Sequence, residues 1–329
     1  MKLIKLELKN FKGLQDFRLH LDGDSAVVTG DNGTGKTTLL DAYLWTMHGH
    51  DSEGNKNPDV RPATDCPYET TVRVRVEDTT GKTLTFYRSV LPNGATEYRI
   101  NETYMKATQY WQALGSMYVE PYLSTPWAFH ALHWKERRSI LEDVAGMESL
   151  GRLEAFHKKY SRSRKEYKWY VDGYKLAEKL IKDFNLWKLS PDYEKIIQSQ
   201  RKTLAFAIER AEKRLYKIEQ AIIKMGTLLT RNVSLESFEF QTVKANKDGD
   251  RKPTCDTWYR GVPWHQLNHA KQIEAGIALI DRLFEHYKIR QPVFVDNAEA
   301  IVHPADPGDM QVVWLKAAPG ELRKKEVCQ

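Results

Sequence analysis

The chain has 329 residues, 41% hydrophobic and 29% charged, a globular mix long enough to bury a core without staples. Its 50 Lys+Arg against 44 Asp+Glu leave a formal charge of +6, which admits a polyanionic partner without requiring one. With 19 Gly and 13 Pro it is not a fibrous or low-complexity sequence, and no apolar run approaches the ~20 residues of a membrane span.

Leu3 to Leu8 alternates apolar and charged residues, as a half-buried strand does. Phe17–Leu21 and Ser25–Thr29 read as further strands, the second ending at Gly30. Thr37 to Met47 reads as a helix with Leu39, Leu40, Tyr43 and Leu44 on its apolar side. Residues 48–68 are polar, rich in Gly and Pro, and expected to be a loop. Strands over 70–76, 84–90 and 97–100, the last after an Asn93-Gly94 turn, predict an antiparallel meander.

The period then changes. Leu153, Phe156, Tyr160, Ser163, Tyr167, Tyr170, Tyr174, Ala177, Ile181 and Phe184 are spaced three and four apart. Leu204, Ile208, Ala211, Leu215, Ile218, Ile222 and Met225 repeat that spacing. Such heptad seams predict two helices of roughly 30 residues, running out and back around a joint at 185–190. Ser190 suits the cap of the second and Pro191 its first residue. Two arrangements stay open: a protruding antiparallel coiled coil, or a two-helix arm packed on the head.

The last hundred residues return to α/β. Residues 244–257 read as polar loop, and Ile273, Ile277, Ile280 and Phe284 mark a helix. Pro292–Val295 is a buried strand ending at Asp296, 303–309 a turn, and Gln311 to Leu315 another strand. The fold class is α/β. Its expected parts are an N-terminal lobe over 1–150, a helical hairpin over 151–228 and a C-terminal lobe over 229–329.

The strongest chemical signal is Gly30-Asp31-Asn32-Gly33-Thr34-Gly35-Lys36-Thr37, a G-x-x-x-x-G-K-T run between a strand and a helix. Glycines let backbone N–H groups curl around a phosphate, and the helix N-terminus adds positive potential. Lys36 would reach the β- and γ-phosphates and Thr37 would hold Mg²⁺, with Thr38 completing the ATP-binding set. A buried strand ending in Asp296 offers a second magnesium ligand, and Glu299 a carboxylate to polarise the attacking water. A third segment, Gly261 to Gln272, precedes a helix with Asn268 at a natural N-cap, a second phosphate-binding device.

These pieces stand in a telling order: a strand with Asn10-Phe11-Lys12-Gly13, the phosphate loop, a helical hairpin, a signature before a helix, and a late Asp-bearing strand. The order resembles the ATPase heads of the SMC, RecF and SbcC group of DNA-repair ABC ATPases, most of all the compact versions encoded by phages and prophages. The resemblance covers residues 1–146 and 250–315, with Asn32 and Trp134-Lys135-Glu136-Arg137-Arg138-Ser139-Ile140-Leu141 adding to it. It implies a P-loop head split into two lobes around an inserted antiparallel coiled coil. It also implies a homodimer sandwiching two ATPs, with the signature of one head on the γ-phosphate held by the other. Action on DNA in recombination or repair follows from the same likeness, and an SbcD-type nuclease subunit is admitted as a partner.

The departures bear on turnover. Leu267-Asn268-His269-Ala270 stands where Leu-Ser-Gly-Gly is usual. Asp296-x-x-Glu299 replaces the usual Asp-Glu pair, which leaves the catalytic position open between Asn297 and Glu299. No switch histidine follows, with His303 or Gln311 as substitutes. Slow hydrolysis is expected, and a nucleotide-gated DNA clamp with little hydrolysis is the alternative. A membrane-transporter ATPase subunit is a further rival, against which the basic arm argues.

Residues 157–182 hold nine Lys/Arg against three acids, interleaved with Tyr160, Tyr167, Trp169 and Tyr170. Lys158, Lys159, Arg162, Arg164 and Lys165 are the candidate DNA contacts, the alternative being a solvated helix face. His130-x-x-His133 and His265/His269 have metal-compatible spacing without a third ligand nearby in sequence. Cys66, Cys255 and Cys328 form no C-x-x-C pair and suit a reducing cytoplasm. The charged, alternating Met1–Glu7 segment is not expected to be a signal peptide.

Overall fold

The computed structural model describes residues 1–62, 67–117, 120–144, 150–183, 191–229, 233–245, 251–301 and 307–325. It divides into two compact units, Met1–His133 with Val262–Gln329, and Trp134–Gly261. The division differs from the expected boundaries at 150 and 229. The α/β head draws on both ends of the chain, and the helical hairpin groups with a small sheet of its own.

The first unit begins with β1 (Lys2–Phe11), β2 (Leu14–His20) and β3 (Ala26–Gly30), followed by α1 (Lys36–His48). β4 (Thr70–Glu77), β5 (Thr83–Val90), β6 (Thr96–Ile100) and β7 (Thr103–Met105) continue into α2 (Ala107–Ser116) and the short α3 (Ala128–Ala131). β1, β2 and β4–β7 form an antiparallel sheet in the order β2-β1-β4-β5-β6-β7. Strand alternation decides its faces: Val72, Val74 and Val76 are fully buried while Arg73 and Arg75 are exposed. α1 is buried from Leu39 to Met47. Tyr43 rests on Phe294 at a ring distance of 4.8 Å and Trp45 on Phe11 at 5.6 Å. A helix apolar on most of its sides belongs inside.

The second unit holds α4 (Trp134–Val144), α5 (Leu150–Asp183) and α6 (Pro191–Leu229), then β8 (Val233–Leu235), β9 (Phe238–Ala245) and β10 (Arg251–Tyr259). β8, β9 and β10 pair antiparallel. The expected polar loop over 244–257 is therefore mostly strand. Cys255, Thr257 and Tyr259 alternate inward on β10, and Phe238, Phe240 and Thr242 do so on β9. Two threonines and a cysteine carry half of that alternation, which hides it from a reading by hydrophobicity.

α5 and α6 run antiparallel, as four cross-bonds show. Arg164 meets Glu219 at 3.4 Å, Lys175 meets Glu212 at 2.6 Å, Arg214 donates to Tyr167 Oη at 3.1 Å, and Arg201 donates to Ile181 O at 2.7 Å. On α6 the seam lies where the spacing put it, with Ile208 and Ala211 buried and Leu204, Leu215, Ile218 and Ile222 half-buried. On α5 it is rotated. Val171 is buried and Tyr167, Ala177 and Ile181 face inward, but Phe156, Tyr160, Tyr170 and Tyr174 are exposed. The two faces are adjacent, and the smaller Val171 allows closer helix approach than a tyrosine row. The joint at 185–190 with Ser190, and the side chains of Leu153, Phe184 and Met225, lie outside the described residues.

The first unit resumes with β11 (Val262–Pro263), α7 (His269–Tyr287), β12 (Val293–Val295), β13 (Val312–Ala317) and β14 (Arg323–Lys325). A second sheet runs β12-β13-β3-β14. β12, β13 and β3 are parallel, and β14 is antiparallel to β3. Parallel strands covered on both faces are apolar throughout, as Val293, Phe294, Val295, Val312, Val313 and Leu315 are. Gly276 lets α7 pass the Pro126 carbonyl, which a Cβ there would strike.

Candidate nucleotide site

The parallel arrangement brings two loop starts to one sheet end. β3 ends at Gly30, where the phosphate loop begins, and β12 ends at Val295, next to Asp296. Thr37 Oγ1 donates to Asp296 Oδ2 at 2.7 Å across 259 residues of sequence. The other carboxylate oxygen, Oδ1, accepts Asn297 N at 2.9 Å. Asn297 has φ 49°, so the chain turns sharply after Asp296 into a 3-10 turn over Ala298–Ala300. Left-handed backbone is tolerated by Asn better than by most residues.

The loop itself requires its glycines. Gly35 has φ 101°, and a Cβ there would lie 2.8 Å from the Leu14 side chain. Gly30 abuts Thr34 Oγ1 and the Leu322 backbone. Lys36 Nζ donates to Gly30 O at 2.9 Å and Asp31 O at 2.8 Å, so its ammonium lies across the loop. Thr34 Oγ1 donates to Asp31 O at 2.8 Å. Asn32 and Gly33 form the exposed rim, and Thr38 is half-buried in the first turn of α1.

The end of β13 and the residues after it are a part of the site that the sequence reading missed. Asp31 N donates to Gly320 O at 2.8 Å, and Gly320 N donates to Asp31 Oδ2 at 3.1 Å. Ala318 N donates to Gly30 O at 3.0 Å, and Ala317 N donates to Glu299 Oε2 at 2.9 Å. One short stretch thus touches both the phosphate loop and Glu299. Its only sequence mark is the Pro319-Gly320 turn pair.

Gln311 does not suit a switch role. Its Oε1 accepts Leu3 N at 2.6 Å and its Nε2 donates to Leu3 O at 2.8 Å and Asp24 O at 3.0 Å. It precedes β13 at the end away from the phosphate loop, since Ala317 is the residue opposite Gly30. That is about 20 Å of strand. His303, the other substitute, lies outside the described residues.

Asn268 caps α7, its Oδ1 accepting Lys271 N at 2.9 Å. The neighbouring imidazoles are stacked: His269 on Trp127 at 5.2 Å and His130 on Trp264 at 3.4 Å. Among the described residues no three His, Cys, Asp or Glu side chains are grouped to hold a metal ion, so the histidine pairs gain no third ligand. Cys255 is buried, and burial pushes its thiol up to about 11. Cys66 and Cys328 lie outside the described residues. No described helix is long and apolar enough to cross a membrane.

Of the candidate DNA contacts, Lys158, Lys159, Arg162 and Lys165 are exposed on α5. Arg164 is half-exposed and paired with Glu219.

A phosphate loop set between a strand and a helix, with an aspartate from a parallel strand on its threonine, defines a P-loop nucleotide-binding head. The chain belongs to the AAA-domain family, whose model matches residues 5–225. Its fold is that of an SMC-type ATPase head. The SmcHead bound to the C-winged helix domain of ScpA aligns with a TM-score of 0.52 at 11% identity, covering 99% of both chains. The Smc head domain of Pyrococcus furiosus, with an extended coiled coil and bound to the C-terminal domain of ScpA, aligns with a TM-score of 0.50 at 15% identity, covering 96% of this chain and 90% of that one. The recombination mediator RecF with ATP gives a TM-score of 0.47 at 13% identity, covering 98% of this chain and 94% of that one. No curated protein sequence matches the chain.

Proposed function

We propose that the chain binds ATP with Mg²⁺, hydrolyses it slowly, and couples this to head dimerisation and to DNA in recombination or repair. The observation that carries the reading is the Thr37–Asp296 hydrogen bond, which puts a hydroxyl and a carboxylate on one spot beside the phosphate loop. Two such oxygens suit a hard divalent cation that keeps its other positions for water and phosphate. Bound there, Mg²⁺ would neutralise charge on the phosphate oxygens. Lys36 would exchange its two carbonyl partners for phosphate oxygens, and the N–H groups of 33–38 would line the loop.

Glu299 or Asn297 orients the attacking water in this reading. Both are exposed at the turn after Asp296. Asn268 serves the partner head, so that each of two sites draws on both copies of a homodimer. The helical hairpin acts as a basic coiled-coil arm on DNA, and a nuclease subunit of the SbcD type is an admissible partner.

A second reading is favoured by one bond. Glu299 Oε2 already accepts Ala317 N, and a carboxylate so held would turn over ATP poorly. The protein would then be a nucleotide-gated clamp that bridges DNA. Steady-state phosphate release with and without duplex DNA, with Lys36→Ala as the blank, tests the pair. Turnover above the blank supports the ATPase, whereas ATP-dependent DNA retention without turnover supports the clamp.

A further inference from the structure

The outer face of α5, turned away from α6, carries an ordered series. Lys158, Arg162, Lys165 and Trp169 are spaced four, three and four residues apart, which places them in one row along the helix. All four are exposed. The three cations cover about 10 Å of helix before the indole. Trp169 is 72% exposed, the most exposed of the large apolar side chains described. Its ring meets the edge of Tyr170 at 5.3 Å, and Tyr170 stacks with Tyr174 at 6.4 Å and 24°. Tyr170 and Tyr174, at 41% and 36% exposed, are two of the four residues that the rotated seam leaves outside.

A solvent-facing indole backed by a tyrosine and led by three cations is costly to leave in water and is not needed by the hairpin, whose cross-bonds use Arg164, Tyr167, Lys175, Arg201 and Arg214 instead. The charge of the row selects a polyanion. The flat ring selects one whose own rings are uncovered. Bases in a duplex have their faces covered by their neighbours, whereas unpaired bases offer theirs to aromatic side chains.

We propose that this face of α5 is a stacking platform for single-stranded DNA, with Trp169 and Tyr170 holding a base and Lys158, Arg162 and Lys165 following the phosphates. The proposal rests on the DNA reading above and adds to it the form of strand that the arm holds. Its contribution separates into two terms with different signatures. The cations set the salt dependence on any DNA, and the rings set the preference for an unpaired strand.

The test uses the full chain and end-labelled probes, oligo(dT) and a duplex of equal length, followed by fluorescence anisotropy. Trp169→Ala is expected to weaken oligo(dT) binding roughly tenfold, to leave duplex binding within about twofold, and to leave the salt slope unchanged. Trp169→Tyr, which keeps a ring, is expected to restore most of the loss. An exposed position on a helix surface makes both variants foldable, and their far-ultraviolet circular dichroism should match wild type. Equal loss on both probes, or no loss on oligo(dT), overturns the platform while leaving DNA binding itself in place. Wild-type protein that binds neither probe overturns the DNA reading and the platform together.

Discussion

Thr37 and Asp296 come from opposite ends of the chain and share a 2.7 Å hydrogen bond. The bond exists because β3 and β12 lie in one sheet, both parallel to β13 between them, so their C-terminal ends open on the same side. Asp296→Asn keeps the shape and removes the charge. Its ATP affinity in Mg²⁺ should fall to the value that wild type shows in EDTA. Calorimetry in the two buffers checks this, and an unchanged Mg²⁺ dependence would remove Asp296 from the cation site.

Glu299 and Asn297 compete for the water-orienting role. If Glu299 has it, Glu299→Gln keeps ATP bound, stops turnover and traps an ATP-dependent dimer on size exclusion. If Asn297→Ala stops turnover and Glu299→Gln does not, the role belongs to the residue directly after Asp296.

Asn268 gives a test of composite sites. Asp caps a helix as well as Asn does, so Asn268→Asp should preserve α7 while setting a carboxylate against the γ-phosphate. Alone, it and Lys36→Ala should each be inactive. Mixed in equal amounts, half the dimers carry one intact and one doubly altered site. Turnover should recover to roughly one quarter of wild type if sites fire independently. No recovery, with mixed dimers demonstrated, contradicts independent sites shared between protomers.

His48, at the end of α1, bonds Ser124 Oγ through Nε2 at 3.0 Å. Burial first, and the charge of His50 second, hold its imidazole well below the usual 6.5. A base depressed in the folded state binds its proton sooner in the unfolded one, so stability is full above about 6.5 and falls as pH drops below it. His48→Gln should flatten that acid limb in urea titrations at pH 7 and pH 5. A limb of unchanged slope would place its origin elsewhere.

Gly276 faces Pro126, with the proline Cα 2.6 Å from where a Cβ would sit. Gly276→Val should destabilise the first unit by about 1–3 kcal/mol, read as a lower urea midpoint at constant slope.

The phosphate loop was legible because its glycines answer a local backbone need, the left-handed φ of 83° at Gly33 and 101° at Gly35. Asn268 was legible as a cap for the same reason, since its bond spans three residues. What was not legible depends on partners distant in sequence. β9 and β10 alternate through Thr242, Cys255 and Thr257, whose burial is decided by the strand beside them. The α5 seam could be assigned to either of two adjacent stripes, and only α6 selects the one with Val171. Gln311 is a substitute for the switch histidine by its place in the sequence, but its amide is taken up by the backbone of Leu3. Gly320 touches Asp31 from 289 residues away, a relation no local pattern contains.

In the proposed function, the loop around Lys36 holds the phosphates of ATP. Equilibrium titration of Mg–ATP into wild type and Lys36→Ala tests it most directly. Saturable binding to wild type and at least about tenfold weaker binding to the variant are expected, since a charge-assisted bond to phosphate is lost. Equal affinity of the two proteins, or no binding to either, would contradict it.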